Sequence, residues 1–179
     1  NLNSSNDITT IENELIQLKI SNKGAQVIEA KIKSYDTYQG DPIFLVKDNN
    51  QKFNLQFQDK SGRLVNTSEY YFVPELTQTD DGQRLSMKLK LSENQYLEYV
   101  YQMNANDYML DFDIYSTGLK EVVNPSQTPK LNWFLKGYRN AKSISYENRY
   151  TEIVFQYDGS DDDYTGQQEV AEEEESQVD

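Results

Sequence analysis

The sequence predicts an all-β protein, built as an antiparallel β-sandwich. Apolar and polar residues alternate with a period of two along most of the chain, which is typical of strands with one buried face. Turn-forming residues separate these runs at roughly the 8–12-residue spacing of sandwiches. No segment shows a helical period, and 14 of the 22 aromatic residues are Tyr, which favours strands.

The chain begins with a polar segment and a hairpin. Residues 1–11 lack periodicity and are predicted to be a flexible N-terminal linker. Residues 16–20 and 28–32 alternate on either side of the Asn22-Lys23-Gly24 turn, where glycine can adopt a positive φ. This pattern predicts two antiparallel strands, each with one solvent-exposed and one buried face.

The remaining strands follow at short intervals and bring the predicted total to roughly nine to eleven. Each is an apolar or alternating run that ends at a turn signal such as Asp80-Asp81-Gly82 or Asn104-Ala105-Asn106-Asp107. The sandwich domain is therefore predicted to span residues 12–157. The further strands are predicted at residues 43–46, 53–57, 70–73, 85–91, 97–103, 110–114, 131–135 and 153–157.

Charge is concentrated at the end of the chain. The net charge is −13, and residues 158–179 hold ten acidic residues with no Lys or Arg. Such a segment cannot bury enough apolar surface to fold, so it is predicted to be an acidic disordered tail or linker. The surface offers no basic patch for nucleic acid, and the tail would be repelled by anionic lipid.

Composition limits the chemistry available to this chain. It contains no His and no Cys. Catalytic sites that use an imidazole base, zinc sites of Cys or His, and disulfides are therefore excluded. No run approaches the roughly 20 apolar residues of a membrane-spanning helix. We expect a protein that is not an enzyme, with no cofactor and no metal site.

Aromatic residues supply the main candidate binding surface. Tyr96, Tyr99, Tyr101 and Trp133 could form a platform that contacts extended peptides or sugars. The alternative is packing in the core and on sheet surfaces, which is the common role of strand tyrosines. A platform would favour a carbohydrate-binding sandwich of the periplasm or cell surface as an alternative function.

Charged residues on several strands offer two further candidate sites. Asp111 and Asp113 share one strand face and could bind Ca²⁺ or act as acids in a glycan enzyme, but their alternation with apolar residues favours a solvated strand face. An open sheet edge could accept an extended polypeptide, and lysines at 31, 33, 88 and 90 could instead protect such edges.

Three segments carry a resemblance to a known family. Residues 14–27 combine a strand with a turn in which Gly24 is kept and Ala25 stands where the family has a second glycine. Residues 96–114 resemble paired strands around an Asn-Asp-Tyr turn. Residues 133–157 carry Glu147 and Tyr150 before an apolar strand and an acidic insert. Together they resemble the large first periplasmic domain of the YidC membrane protein insertase family, Bacteroidetes type.

This resemblance implies a specific architecture and role. The fold would be an oversized sandwich, or supersandwich, of the galactose mutarotase-like kind, and the chain a partial copy of that domain. It implies a non-catalytic part of a multi-pass membrane protein, on the periplasmic side of the inner membrane. It would assist insertion and folding of inner-membrane proteins. The implied partners are nascent membrane proteins and Sec translocon accessory proteins.

Overall fold

The computed structural model describes residues 7–150, 152–155 and 163–166. The chain divides into two compact units, Asn1–Asp36 with Pro42–Tyr138 and Thr37–Asp41 with Arg139–Asp179. The first unit contains three antiparallel sheets, with strand orders β1-β2-β3-β4, β10-β9-β8-β7 and β11-β5-β6. Its strands are β1 Ile8–Glu12, β2 Ile16–Ser21, β3 Gln26–Asp36, β4 Pro42–Val46, β5 Gln51–Gln58, β6 Leu64–Asn66, β7 Val73–Thr79, β8 Gly82–Ser92, β9 Gln95–Asn104, β10 Leu110–Thr117 and β11 Lys130–Leu135.

One hydrophobic core joins the three sheets of the first unit. The alternation in β2 directs Ile16, Leu18 and Ile20 inward, and each is buried. The β8–β9 hairpin contributes a second apolar row from the facing sheet, and β5 contributes Phe53. The prediction of an all-β antiparallel sandwich is confirmed. The inward residues of the hairpin are Leu85, Met87, Leu97, Tyr99, Tyr101 and Met103.

Polar contacts fix the turns against this core. The side-chain amide of Asn13 donates to the carbonyl oxygens of Asn104 and Asp107, both at 2.7 Å. The backbone N–H of Glu12 donates to Oε1 of Gln83 at 2.8 Å. The end of the first strand is thus tied to the hairpin turn of the opposite sheet.

The second unit is small. Helix α1, Ile144–Arg149, is capped by Ser143, whose hydroxyl oxygen accepts from the Tyr146 N–H at 3.3 Å. Strands β12, Glu152–Phe155, and β13, Asp163–Gly166, pair antiparallel. In the part of the chain that the structure describes, no helix is long and apolar enough to cross a membrane.

Several predicted elements differ from the structure. Strand β1 begins at Ile8, inside the segment 1–11 for which the sequence predicts a linker, because Ile11 is buried in the core. The predicted strand at 70–73 is wrong. The strand runs over Val73–Thr79 instead, and Pro74 is tolerated there because β7 is an edge strand.

The predicted strand count is also too low, since the described residues form thirteen strands. Short strands such as β6 leave too few residues for a period to be read. The helix α1 was not predicted. The acidic segment 158–179 lies outside the described residues, except for the backbone of Asp163–Gly166 in β13.

Candidate functional site

An apolar pocket of about 340 Å³ opens beside the turn of the β8–β9 hairpin in the first unit. One wall of the pocket is formed by the end of β8 and the start of β9, on either side of their turn. Another wall is formed by the end of β5 together with β6. The volume lies within the range of about 300–1,000 Å³ typical of ligand pockets. Apolar lining comes mainly from Phe57, Val65, Leu89, Leu91, Leu97 and Leu119.

Gly118 positions one of these lining residues. Its φ is +64°, and a Cβ at this position would lie 2.3 Å from the carbonyl oxygen of Asn94. Only glycine meets both demands without strain. The backbone then enters a short 3₁₀ turn, Leu119–Glu121, and Leu119 is buried against the pocket. The turn is held by the Lys60 N–H, which donates to Val122 O at 2.8 Å.

Charged groups border the pocket, and one of them organises a tight turn. Oδ1 of Asp59 accepts from the Ser61 hydroxyl at 2.6 Å and from the N–H groups of Ser61 and Arg63, both at 2.9 Å. Oδ2 accepts from Nε of Arg63 at 3.1 Å. The Ser61 hydroxyl, followed by the Arg63 N–H, lowers the pKa of Asp59 below its usual value. The charged carboxylate is thus a structural acceptor; Glu69 and Lys90 also line the pocket.

The structure separates the four residues predicted as an aromatic surface. Tyr99 and Tyr101 are buried, with exposed fractions of 0% and 4%. Tyr96 points to the opposite face of β9, where its ring lies 5.7 Å from the Lys88 ammonium. Trp133 lies on β11, in another sheet, and is 66% exposed. A platform shared by all four does not form, because strand alternation and the facing sheet place two of them in the core.

The buried tyrosines have structural partners instead. The Tyr99 hydroxyl donates to Oγ1 of Thr67 at 3.0 Å, and burial raises the pKa of Tyr99 to about 12. The Tyr101 hydroxyl donates to the carbonyl oxygen of Ala25 at 2.6 Å, and burial also raises the pKa of Tyr101. Both phenols are protonated at neutral pH and so are poor general bases.

The other charged candidates are placed as follows. Asp111 and Asp113 are exposed on β10, as a solvated strand face requires. The lysines at 31 and 33 lie on β3 and those at 88 and 90 on β8, which are interior strands. The hypothesis that they protect sheet edges is therefore wrong for Lys31, Lys33 and Lys88, whereas Lys90 lies past Lys88, where the pairing of β8 with β7 ends. Among the described residues, no group of three acidic side chains could hold a metal ion.

Sequence reasoning did not identify the pocket. The alternation places Leu89 and Leu91 on one face of a strand. It does not predict which other elements lie opposite that face, and so it does not predict a pocket. The sequence contains one signal: the apolar row of β8 continues to Leu91, directly beside the polar turn that begins at Ser92. In the structure Leu91 is 60% exposed and lines the pocket together with Leu89.

Comparisons with known proteins identify the family. The sequence model of the YidC periplasmic domain matches residues 8–177. The chain is 33% identical over 156 residues to the membrane protein insertase YidC of Parabacteroides distasonis, which covers 87% of this chain and 24% of that protein. It is 32% identical over 154 residues to YidC of Porphyromonas gingivalis, covering 86% and 24%. It is 28% identical over 167 residues to YidC of Phocaeicola vulgatus, and that alignment covers 93% of this chain and 26% of that protein.

The match has a defined extent. The chain spans about a quarter of the length of the curated relatives it matches. No solved structure matches it. The family match begins at Ile8, where the first strand begins. The chain therefore belongs to the YidC periplasmic domain family.

Proposed function

We propose that this domain is non-catalytic and assists the insertion and folding of inner-membrane proteins. It would act on the periplasmic side of the inner membrane, as part of a multi-pass membrane protein. Its partners would be segments of nascent membrane proteins and accessory proteins of the Sec translocon. The observation that carries the proposal is the family match over residues 8–177, together with relatives that are named membrane protein insertases.

The apolar pocket supports a binding role. It is lined by leucines and open to solvent, and Asp59, Arg63, Glu69 and Lys90 surround it. Apolar side chains of an emerging membrane segment would gain about 25 cal/mol for each Å² that they bury there. The two acidic and two basic side chains sum to no net charge. We propose that the pocket holds apolar side chains of a nascent chain.

Residue chemistry supports the non-catalytic part of the proposal. The chain has no His and no Cys. Among the described residues, the buried phenols of Tyr99 and Tyr101 have raised pKa values. The Asp59 carboxylate is held by donors from its own turn. Carbohydrate binding, the alternative function, loses its main argument because two of its four aromatic residues are buried.

A full-length insertase that contains this domain provides the test. In cells depleted of their own insertase, it would carry Leu91→Asp, which places a charge in the pocket. The matched control is Leu64→Asp, because Leu64 is 54% exposed, close to the 60% of Leu91, and does not line the pocket. Insertion of reporter membrane proteins would be measured by protease protection.

We expect Leu91→Asp to slow insertion and Leu64→Asp to leave it unchanged. A photo-crosslinking side chain at position 91 should also capture nascent chains, and one at position 64 should not. If deletion of the whole domain leaves insertion of every reporter unchanged, the proposed function is wrong. If deletion impairs insertion but Leu91→Asp does not, the domain acts through another surface than the pocket.

A further inference from the structure

Strand β11 is an edge strand with apolar residues on both faces. It pairs with β5 on one side and ends the sheet order β11-β5-β6. All six of its residues are exposed. Trp133 is 66% exposed, and Leu131, Phe134 and Leu135 are each about half exposed. Natural proteins usually protect an open edge of this kind, because it can pair with another chain.

The hydrogen-bonding pattern shows which main-chain groups of β11 face outward. The Lys136 N–H, which follows the strand, donates to Asn50 O at 2.8 Å. In β5, the N–H groups of Phe53 and Leu55 donate to side chains away from β11. Since inward and outward groups alternate in an antiparallel strand, Asn132 and Phe134 pair with β5. The N–H and C=O groups of Leu131, Trp133 and Leu135 therefore lie on the open edge.

The side chains of the same three residues form an apolar row. Trp133 lies opposite Phe53 in the register and so shares its sheet face. Phe53 is buried and contacts the ring of Tyr99 in the core, with centroids 5.9 Å apart. The row is thus the core-facing side of the sheet, extended past the point at which the opposite sheet covers it.

Charge and symmetry indicate which kind of polypeptide could pair with the open edge of β11. Lys130 and Lys136 bracket the apolar residues, and neither forms an ion pair among the described residues. Residues 130–136 read Lys-Leu-Asn-Trp-Phe-Leu-Lys, which is close to a palindrome. A second copy paired antiparallel and centred on Trp133 would place lysine opposite lysine at both ends, which is unfavourable. An acidic residue at each end of the occupant would be favourable instead.

We propose that the open edge of β11 accepts an extended polypeptide segment as an added antiparallel strand. The segment has apolar residues at alternate positions and an acidic residue at each end. Main-chain bonds to Leu131, Trp133 and Leu135 supply affinity, and the apolar row with the two lysines supplies selectivity. The inference rests on the proposed function, since it names the chemistry of a chain segment that the domain would bind.

Hydrogen exchange, read residue by residue by NMR, tests the proposal on the ¹⁵N-labelled 179-residue chain. The probe is the capped peptide Glu-Val-Thr-Val-Thr-Val-Glu. The control peptides carry Lys in place of both Glu residues, or Pro in place of the central Val.

We expect the acidic peptide to slow exchange of the amides of Leu131, Trp133 and Leu135. The amides of Asn132 and Phe134, already bonded to β5, should change little. The Lys-ended peptide should bind about tenfold more weakly, and the Pro peptide should not bind.

Two sets of variants complete the test. The double substitution Lys130→Glu with Lys136→Glu should reverse the preference, so that the Lys-ended peptide binds more tightly. Trp133→Thr, which keeps the outward N–H, should weaken binding, and Trp133→Pro, which removes it, should abolish binding. The charge variant changes only exposed side chains, so the conclusion does not depend on whether the proline variant folds.

Three results would overturn the proposal. The acidic peptide could fail to protect the three outward amides, or both charged peptides could bind equally. The outward amides could also be protected in the free chain. Protection that rises with protein concentration would then identify a second copy as the occupant, and constant protection would identify the chain itself. Because these readouts require no insertion assay, they separate failure of this inference from failure of the proposed function.

Discussion

The hydroxyl of Tyr101 donates a hydrogen bond of 2.6 Å to the carbonyl oxygen of Ala25, across the core of the first unit. Ala25 is fully buried and has a φ of +48°, in the left-handed region that favours glycine. The bond therefore satisfies a buried carbonyl at a strained position and connects β9 to the turn between β2 and β3. The two residues lie 76 positions apart in the sequence.

Tyr101→Phe should lower the free energy of unfolding by about 1–3 kcal/mol, since it leaves the buried Ala25 carbonyl without its donor. Urea denaturation measures this change. Tyr115→Phe is the matched control, because Tyr115 is 50% exposed, and it should change stability by less than about 0.5 kcal/mol. Equal effects of the two substitutions would show that the Tyr101 hydroxyl contributes nothing specific.

A buried hydroxyl network offers a second test. Thr67 is fully buried, and its Oγ1 accepts from the Leu55 N–H at 2.9 Å and from the Tyr99 hydroxyl at 3.0 Å. Thr67→Val removes the acceptor for both donors and should cost about 2–4 kcal/mol of unfolding free energy. Tyr99→Phe should cost about 1 kcal/mol, because Thr67 keeps its other donor.

A double-mutant cycle separates this network from simple packing. If the Tyr99–Thr67 bond is the common element, the double variant should be more stable than the sum of the single costs predicts, by about 1 kcal/mol. Strictly additive effects, measured in the same urea titrations, would mean that the two hydroxyls do not stabilise one another.

The sequence correctly predicted which residues share a face, but not which face another sheet would cover. Tyr99 and Tyr101 were placed on one side of β9, and the structure agrees. They were candidates for a surface, however, whereas the facing sheet buries them. Alternation is a property of a single strand, and burial depends on the arrangement of sheets, which a period of two does not encode.

Trp133 is exposed although its strand has the pattern of a buried one. Its strand was predicted at 131–135, and an apolar run of this kind usually indicates a buried strand. It is exposed because β11 ends its sheet, and the order of strands cannot be read from local pattern. Leu119 was not identified either, since its place in the pocket depends on the left-handed turn at Gly118.

Gly118 itself provides a third prediction. Gly118→Ala would place a Cβ 2.3 Å from the carbonyl oxygen of Asn94 and would force a left-handed φ on alanine. We expect a loss of about 2 kcal/mol or more in unfolding free energy, from strain and backbone displacement. Gly137→Ala is the control, since nothing lies within 4 Å of its Cβ position, and it should be nearly neutral. An unchanged denaturation midpoint for Gly118→Ala would contradict the geometry of this turn.

Asp59 should make stability depend on pH in the acid range. Its pKa in the folded protein lies below the ordinary value of 3.8, chiefly because the Ser61 hydroxyl and the Arg63 N–H donate to the carboxylate. Protons therefore bind the unfolded chain more readily, so the contribution of Asp59 to stability is complete only above about pH 5 and is lost progressively as the pH falls through 3.8 and then through the lower folded pKa. The difference in melting temperature between the wild type and Asp59→Asn should shrink over this window.

The same carboxyl can be followed directly by NMR. Ser61→Ala removes the hydroxyl donor at 2.6 Å, so the pKa of Asp59 should rise toward its ordinary value. The acid transition of the Ser61→Ala variant should then begin at higher pH than that of the wild type. A pKa unchanged by Ser61→Ala would mean that the backbone N–H groups and the Arg63 side chain hold the carboxylate, and that the turn beside the pocket does not depend on the hydroxyl.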